Sequence, residues 1–172
     1  MVSGRLVLNT RLYRSEPHRT GVLRFLEKLK KANVHVDALG VQSHLGGGDG
    51  DPTPLPKVWK AFVDEVVGMG YRLLITELDV KDRHMADDVK QRDAQVAAMT
   101  RDYLDIMLSY RQLDQVLCWG MVDKYSWLRW DKGPNSRPAS SPERPNPYDD
   151  AYQAKPMREA IAAAFAAAPA RA

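Results

Sequence analysis

Apolar positions along this chain alternate between two kinds of pattern, short runs of strand character and longer stripes at helical spacing. Arg5 to Asn9 is a short β-rich run. From Thr20 to Lys31, Val22, Leu23, Leu26 and Leu29 recur at helical spacing between charged residues, which predicts a helix with one apolar face. Val36 to Gln42 is a second strand, running into the glycine-rich stretch Gly46 to Gly50. A second helix starts near Pro56, a residue tolerated in a first turn, and carries Val58, Trp59, Phe62, Val66 and Val67 up to Gly68 and Gly70. Tyr71 to Thr76 is a third strand and leads into Glu77-Leu78-Asp79. A long helix over Asp87 to Gln112 has Val96, Met99, Tyr103, Leu104 and Met107 as its inner stripe. Gln115 to Trp119 is the fourth strand, Asp131 to Pro147 a long loop, and Pro156 to Ala166 the last helix. Strands alternating with helices predict an α/β fold with a parallel sheet.

What closes each strand is more informative. The four strands end in Asn9, in Gln42 followed by His44, in Glu77 followed by Asp79, and in Trp119 followed by Asp123. Ligands of parallel α/β folds bind at the carboxyl ends of the strands, so polar and aromatic groups at all four ends point to one shared site. A doubly wound sheet usually carries a glycine-rich phosphate turn after its first strand, and Asn9-Thr10-Arg11 is no such turn. A closed (β/α)8 barrel is favoured, with four βα units in this chain.

Composition narrows the function. At 172 residues and 44% apolar content the chain can bury a sizeable core. Its net charge of +3 is dispersed, with no long basic run, so nucleic acid is not the expected partner. Cys118 is the single cysteine, which excludes an internal disulfide, and its apolar setting reads as a buried structural thiol. No stretch is long and apolar enough for a membrane span, and Met1 to Arg5 does not read as a signal peptide. The histidines His18, His35, His44 and His84 form no ligand spacing, so no metal and no cofactor is expected. His84, with Asp82, Asp87 and Asp88, reads as a solvated loop and helix start. The run Gly46 to Asp51 matches no calcium loop and reads as a rim loop.

Glu77 emerges at a strand end with Asp79 on the same face two residues on. A carboxylate there can act as nucleophile or base. His44, at the end of the preceding strand and held by Asp79, would keep Glu77 ionised and oriented. Alone, a glutamate at a strand end is more often half of a surface ion pair. The aromatics tilt the balance. Trp119, Tyr125, Trp127 and Trp130 fall within twelve residues, the last three among charged neighbours. Tryptophans beside carboxylates suit sugar rings, whose C–H faces stack on aromatics while their hydroxyls need polar partners. Trp59, at core spacing on a helix, reads as packing.

Four segments resemble glycoside hydrolase family 10, the endo-β-1,4-xylanases, in the family's order and spacing. Val36 to Leu45 (VDALGVQSHL) is similar to its sixth barrel strand, and Leu74 to Val80 (LITELDV) to its nucleophile strand. Cys118 to Leu128 (CWGMVDKYSWL) resembles its eighth strand and the loop beyond. Pro147-Tyr148-Asp149 with Tyr152 to Pro156 resembles its closing segment. The resemblance implies Glu77 as nucleophile, His44 and Asp79 as its hydrogen-bond network, and Asn9, Gln42, Trp119 and Trp127 as substrate-binding residues. It implies retaining hydrolysis of β-1,4-linked xylan or xylo-oligosaccharide, and an extracellular setting because the polymer cannot enter cells. Where the family has Asn followed by Asp at the fifth strand, this chain has Asn9-Thr10.

By the same resemblance residues 1–172 are the C-terminal half of a catalytic barrel, strands five to eight, since such a barrel takes roughly 250 residues. The family's acid/base glutamate, in a Trp-x-x-x-Asn-Glu-like motif, has no counterpart in this sequence. Retaining hydrolysis needs two carboxyl groups about 5–5.5 Å apart. Asp79 and Asp123 are the other carboxylates expected to face the site, both as supporting residues. The chain is therefore expected to be inactive alone and to pair with an N-terminal half-barrel. The alternatives are a catalytically inactive carbohydrate-binding or scaffold fragment and a β-1,4-glucanase of similar barrel.

Overall fold

The computed structural model describes residues 6–11, 15–46, 56–130 and 136–170. Arg5 and most of the glycine-rich stretch, residues 47–50, lie outside the described residues. The elements are β1 (Val7–Thr10), α1 (Glu16–Lys31), β2 (Ala38–Val41), β3 (His44–Leu45), α2 (Pro56–Gly68), β4 (Arg72–Val80), α3 (Val89–Leu108), β5 (Leu113–Cys118) and α4 (Pro156–Ala167). All strand pairs are parallel: β1 with β2, β2 and β3 with β4, and β4 with β5.

Local signals set the boundaries. Helix α1 begins at Glu16, earlier than the apolar stripe predicts, with Pro17 in its first turn and Lys28, Lys30 and Lys31 in its last, where cations complement the helix dipole. Helix α2 stops where Gly70 takes φ +91°, a conformation open to glycine. Asp88 caps α3, its side chain accepting from the Gln91 backbone N–H at 2.8 Å. That helix ends at Leu108, short of the predicted Gln112, because the Gln112 carbonyl is used by the Leu73 N–H at the start of the β4–β5 ladder.

One sheet face packs on the helices. Leu39, Val41, Leu73, Ile75, Leu78 and Leu113 are buried against Leu26, Phe62, Val63, Val66, Val96, Leu104 and Met107. Each such side chain contributes on the order of 2 kcal/mol. Trp59 belongs to this core, as its spacing predicts. Alternation sends Val7, Asn9, Gly40 and Leu74 to the opposite face.

Strand β4 extends to Val80, beyond the predicted Thr76, because its far half finds a partner. That partner is β3, which follows β2 after a break at Gln42-Ser43. Ile75 lies opposite Val41 and Val116, whereas Leu78 lies opposite Cys118 and Asp79 opposite His44. On both sides β4 therefore has one residue more than its neighbour between these points, a bulge at Thr76-Glu77.

Candidate active site

The bulge decides where Glu77 points. In an unbroken strand Thr76 and Glu77 would face opposite sides. Here Thr76 Oγ1 donates to Asn9 Oδ1 at 2.9 Å, and Asn9 Nδ2 donates to Glu77 Oε1 at 3.4 Å, so both side chains meet Asn9. Gly40 makes room for this. A Cβ there would stand 2.9 Å from Asn9 Oδ1, 3.0 Å from Val7 Cγ1 and 3.2 Å from Thr76 Cγ2. A glycine inside a strand commonly marks such a close approach, the one signal in the sequence that could have identified it.

The second carboxylate oxygen of Glu77 lies 3.2 Å from His44 Nε2, and His44 Nδ1 lies 2.8 Å from Asp79 Oδ1. Asp79 is fully buried, and its Oδ2 accepts from the Trp127 indole N–H at 2.7 Å. The Trp127 ring meets the His44 ring edge-on, centroids 5.2 Å apart at 60°, and the Lys81 ammonium stands 5.5 Å from the Trp127 centroid. Asn9, Thr76, Glu77, His44, Asp79 and Trp127 thus form one hydrogen-bonded chain drawn from four segments. Glu77 keeps 16% of its side-chain surface open, and His44 15%. A carboxylate immobilised through both oxygens, yet reachable from the open face, is suited to nucleophilic or base chemistry.

Gln42 and Trp119 join this region through their backbones. The Gln42 N–H donates to the Thr10 carbonyl at 3.0 Å, and the Trp119 N–H to the Leu78 carbonyl at 3.0 Å. The Trp119 side chain is 48% exposed, Tyr125 65% and Trp130 74%, so the rim carries open aromatic surface, while Trp127 is half-buried. The Trp127–Asp79 bond has no sequence signal, since the partners are 48 residues apart. Cys118 is partly covered, and its thiol is pushed up to about 11, first by burial and then by the nearby Asp79 charge, which is unfavourable for a nucleophile.

Two sequence expectations are corrected. Asp123 does not face the site; it is fully buried and binds Lys155 Nζ at 3.0 and 3.3 Å and the Asn146 N–H at 2.9 Å. Burial pushes its carboxyl up to about 6 against the opposing pull of Lys155. Nor is Asp82 solvated. It is buried, lies 3.3 Å from Arg92 Nε and accepts from the Arg144 N–H at 3.0 Å. Burial raises its carboxyl too. His84 is exposed, as expected. Arg144 grips Asp93 with two bonds of 2.8 and 2.7 Å, and Arg137 reaches Asp87 at 2.6 Å. These ion pairs fasten residues 136–155 to the start of α3 and to the turn after β4.

Against known proteins, a family model described as glycosyl hydrolase family 10 matches residues 4–164. Endo-1,4-beta-xylanase 2 of Aureobasidium pullulans is 30% identical over 141 residues, 70% of this chain and 37% of that protein. Endo-1,4-beta-xylanase C of Phanerodontia chrysosporium is 28% identical over 151 residues, 86% of this chain and 34% of that protein. Among solved structures, native xylanase 10B from Thermotoga maritima superposes with a TM-score of 0.77 at 21% identity, covering 94% of this chain and 46% of that one. Xylanase 10B from Thermotoga petrophila RKU-1 in complex with xylobiose gives 0.78 at 21%, again over 94% and 46%. The structural likeness shows a shared fold. The chain spans about a third of the length of these curated relatives and under half of these solved chains.

Proposed function

The chain belongs to glycosyl hydrolase family 10, and we propose that it is the nucleophile-bearing half, strands five to eight, of a (β/α)8-barrel endo-β-1,4-xylanase. The observation that carries this reading is the Glu77 carboxylate, held at the end of β4 by Asn9 on one oxygen and by the His44–Asp79–Trp127 relay on the other. Names of the relatives agree in substrate: both fungal proteins are endo-1,4-beta-xylanases, and one solved relative was crystallised with xylobiose.

In the proposed reaction Glu77 attacks the anomeric carbon of a xylosyl unit, and the bond from that carbon to the leaving sugar oxygen breaks. An acid carboxyl protonates the departing oxygen. Water, deprotonated by the same group, then cleaves the glycosyl ester and frees Glu77, with net retention. Asn9 and His44 orient the nucleophile, Gln42 bonds the sugar, and Trp119 and Trp127 wall it. The acid is the part this chain lacks in our reading. Asp79 is fully buried and Asp123 is locked to Lys155, which leaves Glu77, with 16% of its side-chain surface open, as the accessible carboxyl of the described cluster. The proton donor would come from a complementary half-barrel pairing along the free sides of β1 and β5. A polymeric substrate fits an extracellular protein.

Cleavage of xylo-oligosaccharides tests this, using the chain alone and joined to four upstream βα units. Turnover with retention by the joined form only, abolished by Glu77→Ala, is the expected result. A joined form that binds the sugar without cleaving it points to a binding protein instead. Faster cleavage of cello- than xylo-oligosaccharides points to a glucanase. The first alternative draws on one observation, the single accessible carboxylate of the described cluster.

A further inference from the structure

Ser43 stands at the break between β2 and β3, between Gln42 and His44, with φ +64°. That left-handed conformation is one that glycine adopts freely and a serine resists. The serine side chain is fully buried and its hydroxyl is in use. Ser43 Oγ donates to the Val41 carbonyl at 3.1 Å and lies 2.7 Å from the Tyr103 hydroxyl. A hydroxyl has one proton, and a carbonyl has none to give. With the Ser43 proton directed at Val41, the Tyr103 O–H donates to Ser43 Oγ. Tyr103 is buried on the inner face of α3, and burial raises its phenol, so it remains a neutral donor. The Ser43 carbonyl in turn faces the Asp79 N–H at 3.4 Å.

We propose that Tyr103 is a positioning residue for the Glu77 nucleophile, acting through Ser43 to fix the backbone kink that sets His44 between Glu77 and Asp79. The relay runs from α3 through Tyr103 O–H to Ser43 Oγ and on to the Val41 carbonyl, with His44 attached to the next peptide. It explains why a strained position holds a serine, since glycine would relieve the strain but supply no acceptor to Tyr103. The catalytic part of this role rests on the hydrolase reading above, whereas the effect on His44 does not.

The test therefore begins with the imidazole, in the full chain. Nitrogen-15 shifts of the His44 ring are compared at fixed pH in wild type, Tyr103→Phe and Ser43→Ala, with His18, His35 and His84 as internal controls. Both variants should move the His44 signals in the same direction and leave the control histidines in place. An unmoved His44 in a folded variant overturns the proposal. If Tyr103→Phe does not fold, Ser43→Ala decides alone, because it leaves the core ring intact and removes the acceptor. In the joined form that cleaves, Tyr103→Phe should lower kcat about tenfold to hundredfold with KM little changed. Equal kcat overturns the catalytic role. A joined wild type without turnover would sink the hydrolase reading and leave the imidazole result to decide the positioning.

Discussion

At the scale of single residues, the cluster around Glu77 was legible where chemistry sits at strand ends. Asn9, His44, Glu77 and Asp79 lie at or just beyond the ends of three predicted strands, and the structure joins them by hydrogen bonds. Gly40, Thr76 and Tyr103 were not identified, because their importance depends on how closely neighbouring elements approach in space. Gly40→Ala would push a methyl group to 2.9 Å from Asn9 Oδ1 and is expected to destabilise the chain by about 1–3 kcal/mol, the range for overpacking. In an Asn9→Ala background the same change should cost measurably less, since the blocking carboxamide is gone. Urea melts of the four proteins check this; full additivity would mean that Asn9 is not the obstacle. Cys118 supports a simpler test. With its thiol pushed up to about 11, alkylation by iodoacetamide at pH 8 should be slow in the folded chain and rapid in urea. Fast labelling of the folded chain would contradict the burial described.

At the scale of elements, the order of strands and helices followed from the period of the apolar positions, but two boundaries, the ends of α3 and β4, moved for tertiary reasons. The β4 bulge left a trace that periodicity alone undervalues. Its core-facing apolar residues are Leu73, Ile75, Leu78 and Val80, with steps of two, three and two, and the odd step marks the extra residue. No trace announces the ion pairs of the closing segment. Asp123 and Lys155 are 32 residues apart, and a pattern of single charges does not say which are buried together. Their pH dependence can be worked out. The Asp123 carboxyl lies near 6 when folded against an ordinary 3.8, so the folded state binds its proton more tightly. The resulting stability is fully present below 3.8 and lost as pH rises through 6, by up to about 3 kcal/mol. The stability difference between wild type and Asp123→Asn should therefore fall between pH 4 and pH 6 and level off above. A difference that rises over this interval would mean that Lys155, and not burial, governs the pair.

For the molecule as a whole, the sheet has an outer face closed by helices and an inner face that carries Glu77. Leu117 alternates with the core-packed Val116 and Cys118 and is 49% exposed, so it opens on the inner side with Val7 and Leu74. Among the described residues β1 and β5 each pair on one side only. Free strand edges and apolar surface beside the Glu77 carboxylate are costly in an isolated domain and are removed when a barrel closes. Amide exchange should accordingly be slow in the central strands β2 and β4 and faster in β1 and β5. Adding a polypeptide of four complementary βα units should slow exchange in β1 and β5 selectively and protect the inner face. Binding that leaves both edge strands exchanging as before would mean that the partner docks elsewhere, and the closed-barrel reading would fall even if sugar binding persisted. Slowing confined to β1 and β5 would instead tie the open edges, the inner apolar residues and the accessible Glu77 carboxylate to one cause.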